Sequence, residues 1–546
     1  MIRELAVDLP PGTRTVRALL AASLVLLMAP GAAWAADPVV VPINSGSRTA
    51  EALPPGEQIE LSLEQAIRLA LQNTLDLDVV SLNYEKAAFG IGSAKGYFDP
   101  YLEIDANANR TISPDFSRIS ATDTKNQNGN LIFGGNVETG GSYTLGWYNQ
   151  RADSAIPGFT LFNPRYTSTL SVGATQPLLR NFGSTVSTRF VVQAKYQRDS
   201  SAYEFVAGVQ RGLQLVENAY WDLAYARALL TARKQALDIA KDLNRITKIK
   251  IDVGTLAPID VVQTEVTVAQ REQDIILAEG QIGSAEDQLK RLLNVRNLPD
   301  WQRPIVTTDL PKEEPITISV EDGMRQALQT RPEVRQALID IESKKLTLVY
   351  NKSQLKPRLD LAGSYGYAGL GAKATDPDLG YGDALSSIFD RNYPTWTVGL
   401  FFSIPIFNQT AKNNAAIASS DLELSRTNLA LLKQNLWVEV RGAARDVDTA
   451  LRSIAAAKKS RELAERNLDA EKKKYENGMT TSFQVSSIQN DLTNATAFEL
   501  QTYAAYLKSR VAWHKAIGDL LAWKNVKIDA LPVSLDPTPA EEPAAK

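Results

Sequence analysis

The hydropathy pattern of this chain changes period at a few well-marked places. In residues 61–77, LSLEQAIRLALQNTLDL, Leu63, Ile67, Ala70 and Leu71 fall on one helical face, Ser62 is placed to cap it, and Glu64 stands four residues before Arg68. This predicts a helix over 61–96. After Pro100 the period drops to two: Leu102, Ile104, Ala106 and Ala108 alternate with Glu103, Asp105, Asn107 and Asn109. Leu170, Val172 and Ala174 alternate in the same way with Ser171, Gly173 and Thr175 before Pro177. Both segments read as strands with one apolar and one hydrophilic side. From Thr188 to Asp252 there is no proline, and Val216, Leu223, Leu230 and Leu237 recur every seven residues, with Ala219, Ala226 and Ala240 three places on. That is coiled-coil spacing, and roughly 65 helical residues reach about 100 Å. Pro258–Leu293 then runs back as a second helix.

The same succession occurs twice. Residues 318–334, ISVEDGMRQALQTRPEV, repeat the opening helix at a shift of 257, which also carries Pro100, Leu102 and Ile104 onto Pro357, Leu359 and Leu361. A helix is predicted over 318–353. Leu359, Leu361, Gly363 and Tyr365 alternate with Arg358, Asp360, Ala362 and Ser364, while Trp396, Val398, Leu400 and Phe402 alternate with Thr397 and Gly399 until Phe401 breaks the pattern. Gln176-Pro177-Leu178-Leu179 answers Ile404-Pro405-Ile406-Phe407, and Val253-Gly254-Thr255-Leu256 answers Asn477-Gly478-Met479-Thr480. A long helix is expected from Asn413 to Asn477 and a returning one over Phe483–Trp523. A motif that keeps register over such distances points to two internal repeats. The first covers 58–300, with a strand pair in 98–178 and a long helical hairpin in 185–294. The second covers 301–530, with its strand pair in 355–407 and its hairpin in 411–523.

Pro100, Pro177, Pro357 and Pro405 stand where strand pattern meets helical pattern, as suits a residue without an amide donor. Four strands per chain is the simplest count. Residues 130–150 hold a further hairpin pattern, Leu131, Phe133 and Val137 before Glu138-Thr139-Gly140-Gly141 and Tyr143, Leu145 and Trp147 after it. It either adds to the sheet or forms an external loop. Alternation alone suits a soluble sandwich as well as an outer-membrane barrel. Strand lengths near those of a tilted membrane strand favour the barrel, as do aromatic residues at the strand ends: Tyr97, Phe98 and Tyr101; Trp147 and Tyr148; Tyr365 and Tyr367; Phe401, Phe402 and Phe407.

The N-terminus adds weight to that choice. Arg14 and Arg17 precede the apolar run Ala18–Ala29, and Ala33-Trp34-Ala35 before Ala36 fits a secretory cleavage site, so residues 1–35 read as a signal peptide too short to span a bilayer. The proline-bearing stretches 36–57 and 531–546 lack an apolar period and are expected to be unstructured. A net charge of -3 gives no reason to expect nucleic acid, and the absence of cysteine excludes disulfides, thiolate metal sites and cysteine nucleophiles.

The ordered set of helix, strand pair and long hairpin, repeated once and carrying Gln176-Pro177-Leu178-Leu179-Arg180-Asn181-Phe182-Gly183 and two glycine turns, resembles the TolC-like outer-membrane efflux protein family over roughly 58–530. The resemblance implies an α+β membrane protein: a homotrimer whose transmembrane β-barrel takes four strands from each chain, 12 in total, continued by an antiparallel α-helical coiled-coil barrel through the periplasm. It implies an outer-membrane channel in a tripartite efflux or type I secretion system, conducting substrates passively. A periplasmic adaptor (membrane fusion protein), an inner-membrane pump and outer-membrane lipid are its implied partners. The turns Val253–Leu256 and Asn477–Thr480 would form the adaptor-docking periplasmic mouth. The family often carries acidic residues six places beyond the turn glycine; Asp260 matches, whereas the second copy has Gln484 there and Ser487 three further on. Asp260 can equally cap the helix after Pro258. The competing function is a periplasmic coiled-coil adaptor or scaffold with a soluble β domain.

No catalytic constellation stands out. His514 is the sole histidine and reads as a packed or surface residue, and Asp376-Pro377-Asp378-Leu379-Gly380 lacks calcium-loop spacing and reads as an external turn. No glycine loop for phosphate follows a strand, so the chain is expected to be neither an enzyme nor a cofactor binder.

Overall fold

The computed structural model describes residues 39–44, 46, 51–114, 123–154, 163–309, 316–371 and 380–529. The signal-peptide region, the C-terminal tail and Asp376–Leu379 lie outside them. Four long helices dominate: α3 (Arg189–Asp252) returns through α4 (Ile259–Leu292), and α8 (Gln409–Glu476) through α9 (Ser482–Ile517). At 64 residues, α3 is about 96 Å long. Each long pair is preceded by two shorter helices, α1 (Leu63–Asn73) and α2 (Leu75–Lys95) before the first, α5 (Val320–Thr330) and α6 (Pro332–Gln354) before the second.

The sequence reading expected one unbroken helix in each of those places, and the break has a backbone cause. Thr74 and Arg331, also related by the 257-residue shift, are both extended, with ψ of 132° and 126°. Pro332 disfavours helical geometry at Arg331, and the Arg331 guanidinium fixes the bend by reaching Glu333, Glu439 and the carbonyl of Lys515. Likewise α9 stops at Ile517 rather than running to Trp523, because Gly518 takes a left-handed φ of 81°.

Two small parallel pairs complete the helical body: β1 (Val39–Pro42) with β10 (Val526–Asp529), and β2 (Ile59–Leu61) with β7 (Ile305–Thr307). The first corrects the expectation that 36–57 is unstructured. The β-branched run Val39-Val40-Val41 pairs with the C-terminal strand, and Val41 and Ile43 bury against Phe205 and Val209.

The largest core lies part-way along the long helices, where Leu223, Leu289, Val440 and Tyr506 meet α1, α5 and β2. The seven-residue seam contributes Val216, Ala219 and Leu223 to it, while Leu230 and Leu237 further along are half-buried. A smaller cluster of Leu243, Leu468, Tyr475, Val485 and Ile488 joins the two hairpins near their far ends.

Opposite those ends stands one antiparallel sheet of six strands, in the order β3 (Tyr101–Ile112), β4 (Asp123–Asn136), β5 (Ser142–Ser154), β6 (Arg165–Pro177), β8 (Arg358–Leu370) and β9 (Pro394–Ser403). This corrects the count of four. The stretch 98–178 holds four strands instead of two, because β4 and β5 pair with each other and also with β3 and β6 along most of their lengths. Asn and Gly dominate β4 and hide its strand character, which comes from neighbours on both sides. A short helix, α7 (Tyr381–Phe389), crosses between β8 and β9, with Ala384 and Ile388 buried against the sheet.

Candidate functional site

The register of the six strands sorts their side chains into two faces. Leu102, Phe133, Leu145, Val172, Tyr365 and Trp396 stand side by side across the whole sheet, and so do Ile104, Leu131, Trp147, Leu170, Tyr367 and Pro394. The opposite face carries rows such as Asp105, Asn130, Tyr148 and Thr169, and Asn107, Asn128, Gln150 and Thr167. There Asn128 Nδ2 donates to Asn107 Oδ1 at 3.0 Å. Beyond the apolar rows Arg110 forks onto Asp123 at 2.9 and 2.7 Å, so charge marks the rim of the apolar band.

Apart from α7, no described element covers the apolar face, and the first and last strands each have a free edge. Ile104 is 76 % exposed and Val398 70 %. Pro100 and Pro357 immediately precede β3 and β8, Pro177 closes β6, and Pro405 lies two residues past β9. All four thus sit at ladder ends, where the missing amide removes no interior bond.

At the far end, both long hairpins reverse through the same backbone device. Gly254 N–H donates to the carbonyl of Ile251 and Thr255 N–H to that of Lys250; Gly478 N–H donates to Tyr475 and Met479 N–H to Lys474. Both glycines have φ of 77°, a left-handed geometry that costs other residues energy. Val253 and Met479 are exposed at the tips, with Leu256 half-buried and Asn477 exposed.

The side chains around the turns differ. In the second turn Thr480 donates to Glu471 at 2.6 Å and Lys474 donates to it at 3.1 Å; these two bonds, Thr480 first, hold the Glu471 carboxyl below its usual range. In the first, Thr255 closes only on its own helix, donating to the Lys250 carbonyl at 2.7 Å. Across the hairpins, Thr247 Oγ1 and Tyr475 Oη are 2.7 Å apart, and Lys250 donates to the Tyr475 and Glu476 carbonyls with its ammonium over the Tyr475 ring. Burial pushes the Tyr475 phenol above its usual range; the Thr247 bond opposes this, and the Asp260 carboxylate adds to it. Asp260 is therefore within electrostatic reach of this tie. It lies half-buried in the first turn of α4, Gln484 is exposed, and Ser487 is half-buried. Sequence reasoning missed the Thr247–Lys250–Tyr475 tie, since neither heptad spacing nor the turn glycines mark these residues.

His514 stacks on Trp523 at 4.0 Å and its Nδ1 is 2.8 Å from Asp519, a packed position. Among the described residues no cluster of His, Cys, Asp and Glu suits a metal, and no helix is long and apolar enough to cross a membrane.

The sequence profile described as outer membrane efflux protein matches residues 137–295 and 323–519. The chain belongs to the outer membrane efflux protein family. Its place is the outer membrane, from which it extends into the periplasm. Solved structures share the fold. The CmeC outer membrane channel of Campylobacter jejuni superposes with a TM-score of 0.61 at 17 % identity, covering 84 % of this chain and 86 % of CmeC. The outer membrane protein VceC of Vibrio cholerae gives 0.61 at 15 % identity, covering 84 % and 96 %. A curated relative, toxin and drug export protein A of Aggregatibacter actinomycetemcomitans, is 23 % identical over 245 residues, 45 % of this chain and 48 % of the relative. The chain thus spans about half the length of that relative.

Proposed function

We infer that three copies of this chain close a single duct through the outer membrane and periplasm, the passive exit of a tripartite efflux or type I secretion assembly. The sheet carries this reading: two apolar rows cross all six strands, and both sheet edges are free. Hydrocarbon suits the apolar face, and only ring closure satisfies edge amides and carbonyls in lipid. A soluble β domain, as the scaffold alternative requires, would need a second layer where, among the described residues, this sheet has only the nine-residue α7.

In the periplasmic part, Ile276, Leu277, Val438 and Phe498 are exposed on the long helices. Neighbouring copies in a coiled-coil barrel would cover them. The halves 58–300 and 301–530 act as two copies of one unit: the same shift relates the caps Ser62 and Ser319, the breaks Thr74 and Arg331, and the starts of β3 and β8.

The turns Val253–Leu256 and Asn477–Thr480 form the mouth on which a membrane fusion protein docks, and an inner-membrane pump supplies the energy. Three Asp260 carboxylates make a modest negative ring there, to which Gln484 and Ser487 add no charge. The name of the curated relative points to drugs or toxins as cargo. The test is to purify the full chain from outer membranes. A heat-resistant trimer that conducts ions in planar bilayers is expected, and crosslinks from Thr255 and Met479 should capture the adaptor. Release of the mature chain by osmotic shock would overturn the reading.

A further inference from the structure

We propose that the β4–β5 hairpin is a wall insert that widens the outer portal, so that three chains close 18 strands in place of 12. This rests on the trimeric duct above and concerns its bore. The hairpin continues the wall on both sides. Leu131 and Phe133 of β4 align with Ile104 and Leu102 of β3, while Leu145 and Trp147 of β5 align with Val172 and Leu170 of β6. An external loop has no reason to keep the apolar side of its neighbours in register.

The hairpin is also bolted to the strand–helix junctions at its base. Asn136 Nδ2 donates to the Tyr97 carbonyl at 3.0 Å, just before β3. Gly183 N–H, just after β6, donates to the Thr139 carbonyl at 3.1 Å, and Thr139 Oγ1 donates to Gln176 at 2.8 Å. At Gly140 a Cβ would stand 2.4 Å from the Asn181 carbonyl oxygen, and its φ is 94°, so glycine alone allows this seating. Because two strands are added, β3 still runs antiparallel to β6, and the flanking connections into α2 and α3 are unchanged. The insertion therefore widens the ring without altering the helices beneath it.

At a fixed strand tilt the circumference grows with strand number, so the backbone diameter rises 1.5-fold, from about 24 Å for 12 strands to about 36 Å for 18 at 40° tilt. The added polar wall is rich in neutral carboxamides, Asn126, Asn128, Asn130 and Gln150. The added strands thus bring no charge of their own to the polar face, and selection by size falls to the helical mouth.

The decisive experiment is electron cryomicroscopy of the full-length protein in nanodiscs. A trimer with an 18-stranded ring is expected. A trimer with 12 strands and residues 123–154 outside the wall would overturn this proposal alone, whereas a protein that forms no trimer would remove the duct reading and this one with it. A second test uses the absence of native cysteine. In native membranes, disulfides should form between I104C and L131C and between W147C and L170C, and not between I104C and L170C. Crosslinking of the last pair would place β3 directly beside β6 and refute the insert.

Discussion

The two halves of this chain share their backbone devices and differ in the side chains and insertions hung on them. Each half opens with a serine-capped helix, breaks at an extended residue, enters a strand after proline, and reverses its long hairpin through a glycine with the same φ. Yet the first half alone carries the β4–β5 hairpin, and the second alone pins its turn with Glu471. Geometry that fixes the path of the chain is kept, whereas wall width and turn chemistry vary independently.

The largest expected effect tests whether both halves face lipid. A charge on the apolar face at mid-membrane costs about 2–4 kcal/mol, so Ile104→Arg in the first half and Val398→Arg in the second should each sharply reduce heat-resistant trimer in outer-membrane fractions. Asn128→Asp, on the polar face, should leave the yield near wild type. Loss from only one of the two arginine variants would break the comparison.

The caps are a subtler probe. Ser62 makes a reciprocal box with Gln65, at 3.2 and 3.1 Å, while Ser319 accepts from Asp322 N–H at 3.3 Å and donates its hydroxyl to the Asp322 carboxylate at 2.7 Å, without a bond back to its own N–H. Replacing either serine by alanine should cost about 0.5–2 kcal/mol, with Ser62→Ala the larger. Thermal melting of the trimer would rank them.

Acid should separate the two turns. The Glu471 pKa is lowered in the folded chain, so its contribution is fully present above the usual carboxylate range and is lost as pH falls through the depressed value. Hydrogen exchange at the Met479 amide should therefore accelerate in acid relative to that at Thr255, and Thr480→Val should abolish the difference. The smallest effect is expected from Asp260→Asn, which should weaken block by multivalent cations in single-channel recordings without impairing trimer assembly. Unchanged block across a range of pH would remove Asp260 from the mouth.

Much of this architecture was legible because it rests on periodicity. The proline-free run from Thr188 to Asp252, with the seven-residue recurrence inside it, placed α3 within a residue of its ends, and alternation after Pro100 and Pro357 placed β3 and β8. What escaped depends on partners distant in sequence. β4 is a strand because β3 and β5 flank it, Val39–Pro42 because Val526–Asp529 lies beside it, and the Thr247–Tyr475 bond joins residues 228 apart. The turn glycines and the Pro junctions were visible from their matching places in the two repeats and from the change of period beside them. The tie beside Asp260 was not, since Lys and Tyr near a helix end have many ordinary uses.

The central claim is that the aligned apolar rows meet hydrocarbon while the opposite rows meet water. Spin labels at Ile104, Leu131 and Val398, and separately at Asn107, Asn128 and Thr397, would test it in intact outer membranes by relaxation with oxygen and with a water-soluble nickel chelate. The account predicts oxygen access at the first three and chelate access at the other three. Chelate access at Ile104, Leu131 and Val398 would contradict it.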